Sequence, residues 1–381
     1  MLAGAPLQER VIAHLDLDCF YAQVEMVRLG VARDVPLAVQ QWNGLIAINY
    51  AARKFGVSRH DSADVALKKC PHLKAVHVEV IGVDGAAATV RSQGKVSLER
   101  YRLASEQIFE VLVGEVGHAH VEKAGLDEAF LDLTAMVEAK LPTEAVDKQA
   151  AVHAANDHPR WLCLAPLTPS DLDVRLAVGA AITDRLRKLI FDKLSFTCAV
   201  GIACNKMLSK FGSARNKPDA QTIVNAAATP GLMATFPVRS IRMLGGKLGK
   251  RIVEELKCET AGQVQAIPLP VLQHKFGEET GLRVYNNVRG MCTSAVTPRS
   301  LPKSLNASKS FLPLRSLEEL RPWARILADE IFARCATDRE KHRRCARRLT
   351  VHYRNPRTST GRFSLQSKTV KHPKQAFLSP G

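Results

Sequence analysis

The stretch Val11-Ile12-Ala13-His14-Leu15-Asp16-Leu17-Asp18-Cys19-Phe20-Tyr21 decides the fold. Val11 to Leu17 alternates as a strand does, and from Phe20 to Leu29 the pattern becomes helical. A second stretch, Gly125-Leu126-Asp127-Glu128-Ala129-Phe130-Leu131-Asp132-Leu133-Thr134, again sets carboxylates inside an apolar run. Unpaired carboxylates are costly to bury beside leucine and phenylalanine, so these belong at strand ends where a cation neutralises them. Asp16, Asp127 and Glu128 together make an all-oxygen donor set suited to magnesium. Such a cage serves two-metal phosphoryl or nucleotidyl transfer.

The competing reading makes Asp16 and Asp18 the exposed face of an edge strand, with Leu15 and Leu17 inside. The second stretch resists it, because adjacent Asp127 and Glu128 on a regular strand would point to opposite faces. Their convergence needs a turn or bulge, which Gly125 allows.

A length of 381 residues accommodates two to four compact units, and 46% hydrophobic with 24% charged residues is a globular balance. No apolar run approaches the ~20 residues of a spanning helix, and Met1 to Arg10 has no hydrophobic signal segment. The nine cysteines are scattered without a Cys-x-x-Cys pair, which argues against a zinc site or disulfide framework and for a reducing compartment. The net charge of +17 points to a polyanionic partner. From Arg299 onward there are 19 Lys plus Arg against 6 Asp plus Glu, so the last fifth carries most of the excess. Within it Lys341-His342-Arg343-Arg344-Cys345-Ala346-Arg347-Arg348 leads into a strand-like Leu349 to Tyr353, which reads as a phosphate-tracking surface. The alternative is a solvated charged face.

Further along, Leu45 to Tyr50 reads as a strand, and Ala51-Ala52-Arg53-Lys54 as a basic helix start. Val57 to Leu73 reads as mostly helical, ending where Pro71 breaks it. The Gly/Ala-rich Ile81 to Gly94 reads as an exposed loop. Tyr101, Ala104, Ile108, Val111 and Leu112 make one helical stripe, and Val174, Val178, Ile182, Leu186 and Ile190 another. Val121 to Leu133 reads as a hairpin holding the acidic pair, and Pro142 to Pro169 as an insertion without clear period. Phe196 to Ile202 alternates as a strand, and Asn205 to Arg215 is helical up to Asn216-Lys217-Pro218. The expected class is α/β, an α+β core sheet with the carboxylates at its open edge. Leu244-Gly245-Gly246-Lys247-Leu248-Gly249 lets backbone approach closely and offers amides to phosphate at the next helix start. Thr293 to Ser310 reads as a linker. Beyond it a helix is expected near Leu317 to Ala336, and strands near Leu349 to Arg354 and Arg362 to Gln366.

In order and context, Asp16-Leu17-Asp18-Cys19-Phe20-Tyr21, Leu126-Asp127-Glu128-Ala129, Gly201-Ile202-Ala203-Cys204-Asn205-Lys206 and Asn216-Lys217-Pro218 resemble the Y-family of translesion DNA polymerases. The glycine hairpin, Gln41 and Tyr50-Ala51-Ala52-Arg53-Lys54-Phe55-Gly56-Val57-Ser58-Arg59 are most similar to the eta branch; the kappa and iota branches are the alternatives. The resemblance implies a right hand: palm at 1–20 and 96–236 with an insertion near 142–169, fingers at 21–95, thumb at 237–296 with a helix-hairpin-helix-like motif, a linker at 297–310, and an incomplete little finger at 311–381.

It also implies roles. Asp16, the Leu17 carbonyl, Asp127 and Glu128 would hold two magnesium ions, manganese substituting. Asp18 would be structural. Cys19 and Phe20 amides, Tyr50, Arg53 and Lys217 would take the triphosphate, and Tyr21 would be the steric gate against a ribose 2′-hydroxyl. Gln41 and Arg59 would contact the template base and the incoming nucleotide. Gly245, Gly246, Lys247, Gly249, Arg343, Arg344, Arg347 and Arg348 would bind DNA. The implied activity is synthesis past lesions such as ultraviolet-induced pyrimidine dimers, in the nucleus, on primer-template DNA with deoxynucleoside triphosphates and without proofreading. Sliding-clamp and ubiquitinated-clamp contacts would lie in regions absent from this chain. His60-Asp61-Ser62 and the length of Ile81 to Gly94 depart from the eta pattern. A catalytically silent DNA-binding scaffold and a palm-type nucleotidyl cyclase are the readings from other classes.

Overall fold

The computed structural model describes residues 9–82, 94–310, 314–355 and 364–371. In chain order it begins with β1 (Ile12–Leu17), α1 (Phe20–Leu29), β2 (Leu37–Gln41), β3 (Gly44–Ile48), α2 (Tyr50–Arg53), α3 (Ala63–Lys69) and β4 (Lys74–His77). Next come β5 (Val80–Gly82), β6 (Gly94–Val96), α4 (Glu99–Val116), β7 (Val121–Lys123), β8 (Glu128–Asp132), α5 (Thr134–Glu138), α6 (Ala145–Asn156) and β9 (Trp161–Cys163). α7 (Asp171–Leu194), β10 (Cys198–Ala203), α8 (Lys206–Ser213), β11 (Gln221–Val224) and α9 (Thr229–Thr235) follow. The remainder is α10 (Lys247–Leu256), α11 (Ala261–Gln265), α12 (Leu269–Phe276), α13 (Glu278–Asn287), α14 (Leu317–His342), β12 (Arg348–Asn355) and β13 (Ser364–Lys371). The chain divides into two compact units, Met1–His77 with Leu98–Arg299 and Val78–Ser97 with Ser300–Gly381.

The first unit is built on a six-stranded mixed sheet ordered β7-β8-β1-β10-β11-β9. β1 runs antiparallel to both β8 and β10. It is therefore central, which overturns the edge-strand alternative for Asp16 and Asp18. The carboxylates lie at strand ends within the sheet rather than along an open edge. Helices cover both faces. A Cβ added to Gly179 of α7 would lie 2.5 Å from Val11 Cγ1, and one added to Gly201 of β10 would lie 1.9 Å from the Ser209 carbonyl of α8. Lacking a side chain at 201 thus lets α8 pack backbone to backbone on the strand, over the face that carries His14 and Asp16.

A smaller sheet, β3-β2-β4, encloses Ala38, Leu45, Ile48, Ala52, Val57, Ala66, Cys70 and Leu73. Leu244, Ile252, Val264, Leu272, Val284 and Val288 bring α10 to α13 into one core with Met207 and Leu208 of α8. In the second unit β5 pairs with β6 and β12 with β13. There Lys95 pairs with Glu330, and Lys309 lies over the Trp323 ring.

Several expectations need correction. Tyr50 opens α2 instead of closing a strand, because Asn49 caps the helix by accepting from the Ala52 amide. The strand read at Leu45 to Tyr50 is β3, Gly44–Ile48, and the strand before it, β2, which ends at Gln41, was not foreseen. Only Ala63–Lys69 of Val57 to Leu73 is α-helical. Asp61 accepts from the Ser58 amide and from Lys69, and Ser62 is the N-cap, so the departing residues build a turn and a cap. Ile81, Gly82 and Gly94 belong to strands, while 83–93 and 362–363 lie outside the described residues. The 142–169 stretch holds α6 and also β9, which extends the main sheet beside β11.

Candidate active site

Asp16 stands opposite Glu128 in the β1–β8 register, and Asp127 occupies the turn that leads into β8. The turn is held to β1 by the Leu17 amide, which donates to the Asp127 carbonyl at 2.9 Å. Adjacent carboxylates thereby leave the strict alternation of a strand. Gly125 makes room for them: a Cβ there would come within 3.1 Å of the Glu128 side chain and 3.4 Å of Asp127 Oδ1.

Each carboxylate has a distinct environment. Asp16 Oδ1 pairs with Lys217 Nζ at 2.7 Å. Glu128 Oε2 accepts from His14 Nε2 at 3.1 Å and pairs with Lys210 of α8. Those bonds, His14 first, hold the Glu128 carboxyl down at about 2. The Asp127 carboxyl is pushed up, by burial and by the charges of Asp16 and Glu128. His14 is fully buried, with Nδ1 2.7 Å from Ser213 Oγ, and burial keeps its imidazole below the ordinary value.

Among the described residues no three His, Cys, Asp or Glu side chains converge closely enough to hold an ion; Asp16 and Glu128 are turned onto lysines. The donor chemistry nonetheless fits a hard divalent cation. All three groups are carboxylate oxygens, and Asp127 carries the repulsion of its two neighbours, which a cation between them would relieve.

Around this centre, Tyr50 directs its hydroxyl to Asp18 Oδ1 at 3.4 Å, and the Arg53 guanidinium lies 4.6 Å from the Tyr50 ring centroid. Cys19, in a left-handed conformation (φ 38°), is the N-cap of α1, and its carbonyl accepts from Ala22. Phe20 is buried against Phe196. Gly246 caps α10, whose Gly249 would clash with the Leu244 carbonyl at 1.6 Å if it carried a Cβ. The close turn expected of the 244–249 stretch is present.

The model of the impB/mucB/samB family matches residues 15–214, that of the DNApol eta/Rev1 HhH motif 236–291, and that of the impB/mucB/samB C-terminal domain 302–378. The chain belongs to the impB/mucB/samB family. It is a Y-family translesion DNA polymerase sequence, closely related to eta homologues. DNA polymerase eta of Arabidopsis thaliana is 34% identical over 372 residues, covering 90% of this chain and 52% of that protein. DNA polymerase iota of Homo sapiens is 31% identical, covering 95% and 46%. DNA polymerase IV of Serratia proteamaculans is 29% identical, covering 85% and 76%. The chain thus spans about half the length of its eukaryotic relatives.

Other residues of this Y-family chain fall as follows. Tyr21 is stacked on Tyr101. Arg59 is exposed, and Gln41 is half-buried at the end of β2. Arg343, Arg347 and Arg348 are exposed. Arg344 forms a bidentate pair with Asp338 at 2.6 and 2.7 Å, so its charge is already committed. Reasoning from sequence missed His14, Lys210 and Tyr101. His14 had one available signal, since it shares the face of Asp16 two residues on.

Proposed function

We propose that the chain is the catalytic portion of a template-directed DNA polymerase of the eta type. It extends a primer past damaged template bases, ultraviolet-induced pyrimidine dimers among them, by nucleotidyl transfer and without proofreading. The observation that carries this reading is the facing of Asp16 and Glu128 across β1 and β8, with Asp127 on the adjoining turn and Lys217 against Asp16. Family membership supports it.

In this reading residues 1–20 and 96–236 are palm, 21–95 fingers, 237–296 thumb and 311–381 little finger. Asp16, the Leu17 carbonyl, Asp127 and Glu128 hold two magnesium ions, for which manganese substitutes. When bound, the ions acidify the primer 3′-hydroxyl and offset the charge of the leaving pyrophosphate. The chain's own groups do the rest. Lys217, Tyr50, Arg53 and the amides of Cys19 and Phe20 receive the triphosphate. The Tyr21 ring excludes a 2′-hydroxyl, and Gln41 and Arg59 contact the templating pair. The glycine turn before α10 and the exposed Arg343, Arg347 and Arg348 track the duplex. The setting is the nucleus.

Magnesium-dependent primer extension on undamaged template and on template carrying a cis-syn thymine dimer tests the reading, with an Asp127→Ala, Glu128→Ala control. Extension past the dimer, lost in the control while primer-template binding persists, is expected. Extension that stops at the dimer would move the chain to another Y-family branch. Failure on both templates would leave a DNA-binding scaffold.

A further inference from the structure

We propose that Asp18, which stands outside the carboxylates assigned to the ions, is the positioning residue that aligns the triphosphate-binding side chains Tyr50 and Lys217 with the catalytic strand. This rests on the reading above. Asp18 directly follows β1 and is 1% exposed, so its carboxylate needs partners to offset the cost of burial. Its backbone is fixed on both sides: the amide donates to the Thr197 carbonyl at 3.1 Å, and the carbonyl accepts from the Gln23 side-chain amide. The carboxylate is therefore aimed by the chain itself.

Its two oxygens reach different parts of the site. Oδ2 accepts from the Asp219 amide at 2.9 Å, and Oδ1 from the Tyr50 hydroxyl at 3.4 Å. Asp219 closes the turn that carries Lys217 and has a left-handed φ of 50°. The Asp219 side chain is in turn held by Arg187 at 2.7 Å and Arg160 at 3.0 Å. The turn is thus pinned from one side by arginines and from the other by Asp18, and Lys217 is left pointing at Asp16. The longer bond to Tyr50 has a different consequence. A phenol donates one hydrogen, so a phosphate oxygen must replace Asp18 as its acceptor, and a 3.4 Å contact is easily exchanged. Asp18 holds the hydroxyl in place until the triphosphate takes it, which lowers the ordering cost of binding.

The test is single-nucleotide insertion by Asp18→Ala, Asp18→Asn, Lys217→Ala and the Asp18→Ala, Lys217→Ala double variant, with primer-template affinity from fluorescence anisotropy. Asp18→Ala should raise the KM for deoxynucleotide about tenfold, the size of one lost hydrogen bond, with primer-template affinity within about twofold. Asp18→Asn keeps an oxygen for the Asp219 amide and should recover most of the loss. In the Lys217→Ala background, Asp18→Ala should raise KM by clearly less than it does alone, because the part that acts through the turn is already lost and only the Tyr50 contact remains. An unchanged KM in Asp18→Ala, or full additivity in the double variant, overturns the proposal. Should Asp18→Ala fail to fold, an Asp18→Asn enzyme with a KM as poor as that of Lys217→Ala overturns it too. If Lys217→Ala leaves KM unchanged, the proposal falls with the Lys217 assignment, whereas the polymerase reading falls if the wild-type chain extends neither template or if Asp127→Ala, Glu128→Ala leaves incorporation intact.

Discussion

The phenol rings of Tyr21 and Tyr101 are stacked, with centroids 4.0 Å apart and planes 17° from parallel. Tyr101 is 1% exposed, and its hydroxyl donates to Glu25 at 2.9 Å. Glu25 is itself gripped by Arg28 at 2.7 Å and Arg100 at 2.8 Å. The ring proposed as the sugar gate therefore rests on a platform fixed by buried Glu25 and the two arginines that hold it. A gate excludes by standing still, so its backing matters as much as its own identity.

Replacing Tyr101 by Leu, which fills much of the space without offering a flat face, should loosen Tyr21. Stacked aromatic pairs contribute about 0.5–1.5 kcal/mol beyond area burial, so discrimination between deoxy- and ribonucleotides should fall up to roughly tenfold. Tyr101→Phe keeps the stack and should preserve most of it. The ratio of insertion efficiencies for dATP and ATP measures the effect; equal ratios in wild type and Tyr101→Leu would show that Tyr21 needs no support.

The same network sets an acid limit on stability. Burial alone would push the Glu25 carboxyl up, but hydrogen bonds from Arg28, Arg100 and Tyr101 outweigh it and hold the group below its ordinary 4.5. A lowered folded value means the stabilisation is complete above the ordinary carboxylate range and is lost as pH falls through the folded value. Glu25→Gln should cost about 1–3 kcal/mol at neutral pH and flatten the acid decline. Urea unfolding at pH 7 and pH 3.5 checks this, and parallel losses in both proteins would contradict it.

What could be read from sequence follows from how local each signal is. Phe20–Leu29 was legible because its helical pattern lies within ten consecutive residues. The acidic hairpin was legible because adjacent Asp127 and Glu128 could not both serve a regular strand. Val57 to Leu73 misled because Ser58 to Asp61 is closed by the Asp61 side chain, a contact with no periodicity. The three residues of β9 are too few to show alternation, and only pairing with β11 makes them a strand. His14 was hidden among apolar neighbours, and its partners Glu128 and Ser213 are 114 and 199 residues away.

The contact of α8 with β10 predicts an intolerant glycine. A methyl group on Gly201 would meet the Ser209 carbonyl at 1.9 Å and the Ser213 amide at 2.3 Å, both backbone atoms that cannot turn aside. Gly201→Ala should lift α8, which carries Lys210 and Ser213, and cost roughly 3 kcal/mol or more. Thermal unfolding reads the loss. A variant as stable as wild type would mean that the helix can slide.

Lys206 supplies the last prediction. Its side chain is only 3% exposed and Nζ is shared between Glu122, at 2.6 Å to Oε1, and the Ala295 carbonyl at 3.2 Å. Glu122 also accepts from the Thr297 amide at 2.9 Å. One buried ion pair thereby ties the 295–297 segment to α8 and β7. Lys206→Met keeps the apolar stem but leaves Glu122 without its cation, which should cost about 3–5 kcal/mol. It should also release Ala295, so that limited proteolysis between residues 293 and 299 accelerates while the β1–β8 core stays protected. Glu122→Gln, which keeps the Lys206–Ala295 bond that Lys206→Met loses, should protect the segment better than Lys206→Met. Equal cleavage in the two variants would assign the anchoring to the ion pair as a whole rather than to the Ala295 bond.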